Sequence, residues 1–290
     1  MTLRVAVVGT GRMGSAMVGR VTGGGFPVVV HNRSRDKAEV VAERHGCEVA
    51  DTARDAVAGA DVVLVSLPDD AAAHAAYGGD AGIVAGLARG AVVTDTSTIA
   101  PATVRRLATD VAHAGATLLD TPVSGSVSTV EAGQLTVMAG GDPSALDRAR
   151  PVLETMASSI VHCGPQGSGA ALKLAVNTIV HALDIALSEA LVLAEKAGLD
   201  RETAYDVFAH SAVGAPFVHY KRAAFLSPGV TPVAFALDLV AKDLELAAAL
   251  ASEVGARTPQ LERNREVVAD AVSTGLGGAD LSAVAEYLRR

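Results

Sequence analysis

Gly9-x-Gly11-x-x-Gly14 stands directly behind an apolar run at 3–8 and opens a helical pattern at 13–22. Few sequence features restrict a fold more tightly. The glycines meet three geometrical needs: a tight turn, close approach of backbone to a pyrophosphate, and close packing of helix on strand. The helix that begins there offers unpaired N–H groups and the positive end of its dipole. Three glycines elsewhere would be ordinary turn formers. Between a strand and a helix they predict a dinucleotide site, built from Gly9, Thr10, Gly11, Arg12, Met13 and Gly14.

The rest of the first half continues the rhythm. Strands are predicted at 27–31, 61–66, 91–94 and 117–120 with helices between them, and Ser34 reads as the N-cap of a helix at 36–45. Strands at 134–139 and 159–162 flank a helix at 143–156, and Gly23-Gly24-Gly25 reads as a helix-ending turn. After Gly164-Pro165-Gln166-Gly167 only helical periodicity remains. The expected fold is α/β: a Rossmann-type, doubly wound and mostly parallel sheet in a nucleotide-binding domain at 1–165. A long inter-domain helix then leads into an all-helical domain for substrate and dimerisation at 166–290.

The end of the second strand bears on which dinucleotide is bound. Asp or Glu there would hold ribose hydroxyls and repel a 2′-phosphate. The sequence reads His31-Asn32-Arg33-Ser34-Arg35 instead, with a guanidinium fork and a hydroxyl to offer a phosphate. NADP is therefore expected over NAD, the alternative being a solvated loop with two arginines.

Composition excludes other classes. The net charge of -8 and the lack of a basic cluster argue against nucleic acid or an anionic membrane as partner. Cys47 and Cys163 lie far apart, without metal or redox spacing, as expected of small hydrophobes in a reducing compartment. No positively charged segment precedes an apolar stretch at the N-terminus, so no signal peptide is expected and a cytoplasmic location is. The apolar stretch 170–194 is interrupted by Lys173, Asn177, His181, Asp184 and Glu189, which fits a core helix better than a membrane span.

On a helix of about 100° per residue, Lys173, Asn177, His181, Asp184 and Ser188 share an arc of about 80°. Lys173 and Asn177, at i and i+4, point the same way. Periodicity alone leaves open whether this stripe is solvated or functional. The other histidines show no ligand spacing, and no metal site is expected.

Five motifs in order carry a resemblance over essentially the whole chain. They are GxGxMG with the Asn-Arg-Ser turn, Asp95-Thr96-Ser97-Thr98 with Pro101, Pro122-Val123-Ser124-Gly125-Ser126, Gly167-x-Gly169 followed by Lys173 and Asn177, and Lys242-Asp243-Leu244 with Gly277-Gly278-x-Asp280. Together they resemble the β-hydroxyacid dehydrogenase family. The resemblance implies NADP-dependent interconversion of a small hydroxy acid with its semialdehyde or keto form. It implies that Lys173 exchanges the carbonyl proton, Asn177 bonds substrate beside it, and Ser124, Gly125 and Ser126 receive the substrate carboxylate. Ser97 and Thr98 would lie at the nicotinamide–substrate junction. Asn32, Arg33, Ser34, Leu67, Pro68 and Lys242 would contact the cofactor. No motif encodes the far wall of the pocket, which is expected from the helical domain around 214–220 or from a second subunit. A homodimer or homotetramer through the helical domain is implied as well. Ser126 in place of a second glycine, and Val176 in place of Asn, are similar to the glyoxylate and succinic semialdehyde reductase branch. Imine reductases share the fold but usually carry Asp or Tyr in place of the lysine, and non-catalytic scaffolds of this kind have lost it.

Overall fold

In the computed structural model, residues 2–290 are described. The first part alternates β1 (Val5–Val8), α1 (Arg12–Gly23), β2 (Val28–His31), α2 (Arg35–His45), β3 (Glu48–Val49), α3 (Ala53–Val57), β4 (Val62–Val65) and α4 (Asp70–Tyr77). It continues with α5 (Ile83–Gly86), β5 (Val92–Asp95), α6 (Pro101–His113), β6 (Thr117–Asp120), β7 (Val123–Ser124), α7 (Val127–Glu131), β8 (Leu135–Gly140), α8 (Pro143–Leu153) and β9 (Ala157–Gly164). Helices follow: α9 (Ser168–Lys196), α10 (Arg201–His210), α11 (Pro216–Leu226), α12 (Leu237–Val254), α13 (Pro259–Ala271) and, after short π and 3-10 turns, α14 (Val284–Arg289).

The strands lie in the order β3-β2-β1-β4-β5-β6-β8-β7, with β9 also on β8. β1 to β6 run parallel, β8 lies antiparallel to β6 and β7, and β9 returns parallel to β8. Side chains alternate across the sheet as a strand requires. Val5, Val7, Val62 and Leu64 enter the core under α1 and α8, while Ala6, Val8, Val63 and Val65 enter the opposite one with Val104, Leu107 and Val111 of α6. Both faces are covered, which is why these strands read as unbroken apolar runs. Each predicted strand overlaps a strand, with ends within two residues of those expected; the last runs two residues longer at each end, at 157–164. The two-residue strands β3 and β7 are too short to leave a periodic signal.

Two compact units divide at Lys173 and Leu174, inside α9; the sequence boundary near 165 marks where the strands stop. The second unit has its own apolar core, with Ile185, Leu191, Tyr205, Phe225, Val240, Val268 and Val284 among its members. α9 is the one helix among the described residues long and apolar enough to span a bilayer. Its polar stripe is nonetheless buried, with Asn177, His181, Asp184 and Ser188 at 6, 2, 0 and 0 % exposure. The solvated-face alternative is thereby overturned: α9 is a core helix with its polar residues turned inward. Its outward side carries Leu172, Ile179 and Leu193, all exposed.

A buried ionic knot ties the second unit together. Lys221 of α11 donates to both carboxylate oxygens of Asp280, at 2.9 and 2.8 Å. Asp280 also accepts the N–H groups of Ala234, Phe235 and Ser282, so one carboxylate joins α11, the entry to α12 and the C-terminal turn. Nearby Asp184 is fully buried, with neither oxygen hydrogen-bonded. Burial pushes its carboxyl well above the usual carboxylate range, more than Lys221 lowers it.

Candidate active site

The chain runs from β1 to β2 on one side and returns to β4 on the other, so a crevice opens at the C-terminal ends of β1 and β4, where open α/β sheets bind ligands. The glycine turn sits at this point. Gly9 has φ +96°, and a Cβ there would collide with the Ser66 carbonyl oxygen. A Cβ at Gly14 would collide with the Gly9 carbonyl. At Gly11 a Cβ would meet nothing within 4 Å, so this side of the turn is open to a pyrophosphate. Gly11 caps α1, whose first N–H groups have no partner within the helix. Thr10 is buried with its hydroxyl unpaired, while Arg12 is exposed and Met13 packs on the core beneath. These residues fit a dinucleotide phosphate bridge.

Asn32 links the two halves of this region. Its Oδ1 accepts the Thr10 N–H at 3.1 Å and its Nδ2 donates to the Ser34 carbonyl at 3.0 Å, so it positions the turn. Arg33 is exposed, whereas Arg35 is engaged by Glu39 and Asp51. Ser34 occupies the N-cap position of α2, but its hydroxyl makes no capping bond, a correction to the simple cap reading. A half-buried hydroxyl left without that bond is available to a phosphate. Leu67 is half-buried and Pro68 exposed on the loop after β4.

Two hydroxyls expected to face substrate are engaged elsewhere. Ser97 is 4 % exposed and its Oγ accepts the Leu67 N–H at 2.9 Å, so it ties the loop after β5 to the loop after β4. Ser126 is the N-cap of α7, in a reciprocal box with Thr129. Its Oγ lies 3.0 Å from Thr129 Oγ1 and 2.8 Å from Ser128 Oγ. Through these bonds Ser97 fixes the loop after β5 and Ser126 the turn into α7. Ser124 and Thr98 are half-buried and Gly125 is exposed. Gly125 must be glycine: at φ +140° its Cβ would lie 2.7 Å from both Leu135 Cδ2 and Thr129 Cγ2.

Lys173 is half-buried on the second turn of α9, one turn before Asn177. Within the second unit Asn177 Nδ2 donates to Asp243 Oδ2 at 2.5 Å, and Lys242 Nζ lies 2.9 Å from Asp243 Oδ1. Nε2 of His181 approaches Asp243 to 3.7 Å, beyond hydrogen-bond reach, and its ring lies 5.9 Å from Phe235. Burial would raise the Asp243 carboxyl, but His181 and Lys242 outweigh it and hold the group below its usual value. Asn177 and Lys242 are thus brought together through Asp243, which motif reading had singled out only as Lys242's neighbour.

Two further carboxylates were given no role from the sequence, Asp95 although it heads one of the motifs. Asp95 and Asp120 end adjacent strands, sit opposite each other in register, and are 2 and 1 % exposed. Asp95 accepts the Ser97 N–H at 2.9 Å and the Tyr77 hydroxyl at 2.8 Å. Asp120 accepts the N–H groups of Gly167 and Ala170 at the start of α9, at 2.9 and 2.8 Å. Burial pushes both carboxyls up, against the lowering by these bonds. The available signal was an apolar strand ending in Asp-Thr, which occurs twice, at 95–96 and 120–121.

A dinucleotide-binding α/β unit joined to a helical unit is the class that this fold and site define. Known proteins narrow it. Residues 4–164 match the NAD binding domain of 6-phosphogluconate dehydrogenase, and residues 167–288 match the NAD-binding domain of NADP-dependent 3-hydroxyisobutyrate dehydrogenase. The chain is 36 % identical to 3-hydroxyisobutyrate dehydrogenase of Pseudomonas aeruginosa, covering 98 % of each. It is 32 % identical to the chloroplastic glyoxylate/succinic semialdehyde reductase 2 of Arabidopsis thaliana, covering 99 % of this chain and 80 % of that protein. The solved structure of Psf3 in complex with NADP+ and 2-OPP superposes with a TM-score of 0.91 at 29 % identity, covering 98 % of this chain and 99 % of that one. An imine reductase from Pseudomonas sp., 18 % identical with a TM-score of 0.67, shares the fold alone. The chain belongs to the β-hydroxyacid dehydrogenase family: it is an NAD(P)-dependent oxidoreductase of hydroxy acids.

Proposed function

We propose that this enzyme uses NADPH to reduce a short aldehyde or keto acid bearing a carboxylate, with Lys173 as proton donor. The end of β2 carries the cofactor half of the reading. No carboxylate stands there to repel a 2′-phosphate, and Arg33 is exposed beside the half-buried Ser34. The NADP+ complex of Psf3 supports it. Ser126 and Val176, with the similarity to a glyoxylate/succinic semialdehyde reductase, support the substrate half.

Gly9 to Gly14 would hold the phosphate bridge, and Arg33 and Ser34 the 2′-phosphate. The cofactor held there would supply a hydride for the carbonyl carbon. Lys173 gives its ammonium proton to the carbonyl oxygen as that oxygen gains charge, and takes a proton back in the oxidative direction. The Ser124 hydroxyl and the Gly125 N–H would receive the substrate carboxylate, and Asn177, held by Asp243, would orient the carbonyl.

The expected NADPH preference over NADH is at least about tenfold in Kd, or about 1.4 kcal/mol. Arg33→Ala should weaken NADPH by a similar factor and leave NADH nearly unchanged in fluorescence titrations. Equal affinities in the wild type would overturn this half of the reading. The exposed Leu172, Ile179 and Leu193 on α9 support self-association through the helical part. Light scattering should return a multiple of the 29.3 kDa chain mass, and a monomer at micromolar concentration would contradict that.

A further inference from the structure

The first turn of α9 is seated against the sheet with little slack. Asp120, the last residue of β6, lies between β5 and β8, opposite Asp95 on one side and Gly140 on the other. Both of its carboxylate oxygens are committed to one object. Oδ1 takes the N–H of Gly167 and Oδ2 that of Ala170, two donors that the helix start cannot satisfy by itself. Close approach keeps the seat from shifting. A Cβ at Gly169 would collide with the Met138 carbonyl and lie 2.7 Å from the Asp120 carbonyl oxygen. A Cβ at Gly140 would lie 2.6 Å from Asp120 Oδ1 itself. The two glycines of Gly167-x-Gly169 thus have a local explanation: Gly167 takes φ +90°, and Gly169 lets the helix descend onto the carboxylate.

Lys173 stands three residues beyond Ala170, about 4.5 Å along the same rigid helix. A displacement of the first turn therefore moves the root of Lys173 by nearly the same amount. A helix start needs no buried charge, since Ser, Thr or Asn can cap it in place of Asp. Burial at 1 % exposure is a costly place for a carboxylate unless both oxygens are used.

We propose that Asp120 is a positioning residue for the reaction, fixing the height and rotation of the first turn of α9 and so the point from which Lys173 delivers its proton. This rests on the reading of Lys173 as proton donor. A misplacement of about 1 Å at a reacting group is worth up to roughly a hundredfold in rate. Asp120→Asn is nearly isosteric but keeps one acceptor oxygen, and it turns an NH₂ group toward one of the N–H donors. Gly140→Ala keeps the carboxylate and crowds Oδ1 off its seat, which provides a second route should the first variant fold poorly.

The experiment measures kcat, KM, NADPH Kd and peptide-resolved hydrogen exchange over 167–173 for wild type, Asp120→Asn, Gly140→Ala and Lys173→Ala. Both seat variants should lose about ten- to a hundredfold in kcat, with NADPH Kd within about twofold of wild type and faster exchange confined to the start of α9. A lower melting temperature with kcat unchanged in either variant would overturn the proposal, leaving Asp120 a structural cap. An inactive Lys173→Ala beside fully active seat variants would refute the positioning role alone. An active Lys173→Ala would refute the proton-donor reading on which it rests.

Discussion

Lys173→Ala should lower kcat by roughly 10²- to 10⁴-fold, the usual range for removal of a general acid–base group. NADPH affinity should barely change, because the phosphates are assigned to the Gly9–Gly14 turn and to Arg33. Lys173→Arg should rescue little: the charge remains, but a guanidinium does not release its proton near neutral pH. Asn177→Ala should cost less in kcat and act chiefly on substrate positioning, while leaving Asp243 without its 2.5 Å partner. An ordinary helix-surface lysine would give an Ala variant with near wild-type turnover. Steady-state kinetics, with a thermal melt to show that each variant folds, distinguishes the two.

Lys221→Ala should destabilise the helical part by about 3–5 kcal/mol, the cost of removing one partner from a buried ion pair. The ammonium is 4 % exposed and donates to both oxygens of Asp280. Without it, Asp280 keeps its backbone donors but loses its counter-charge, and Asp184 loses the one cation that lowers its pKa. Lys221→Met should cost nearly as much although it keeps most of the side chain's apolar bulk, so the charge and not the volume is the cause. The pH dependence has a definite sign. Burial would raise Asp280, but Lys221 and the N–H donors prevail and hold it below its ordinary value. Its contribution is therefore present above the unfolded carboxyl pKa of about 3.9 and lost as pH falls through the folded value. The gap between wild type and Lys221→Met should be full at pH 7 and narrow below pH 4 in denaturant titrations. A loss under about 1 kcal/mol at pH 7 would show the knot to be energetically idle.

The parts of the fold legible in the sequence were those whose signal is local. Buried parallel strands are continuous apolar runs, and the turn between β1 and α1 needs glycines at fixed offsets, so both could be read directly. The long helix was legible for the same reason. What its polar stripe meets was not, because Asp243 and Lys221 reach the interior of the helical unit from α12 and α11, tens of residues away. Periodicity places Asn177, His181 and Asp184 on one face and is silent about whether that face meets water or protein. Hydroxyls were the least legible groups. Ser97 and Ser126 stand where motif reading puts them, but one accepts a loop N–H and the other caps a five-residue helix. Asp120 was missed because a carboxylate at a strand end looks like the start of a solvated loop until the chain returns 47 residues later with two unpaired N–H groups.

The central claim is that NADPH drives reduction of a short, carboxylate-bearing aldehyde in this site. The direct measurement is kcat/KM for succinic semialdehyde and for glyoxylate with NADPH, set against kcat/KM for 3-hydroxyisobutyrate with NADP+ and with NAD+. The account predicts the largest value for one of the two aldehydes, with NADPH consumed in step with hydroxy acid formed. A larger value for 3-hydroxyisobutyrate with NAD+, or NADPH bound but consumed with neither aldehyde, would contradict it.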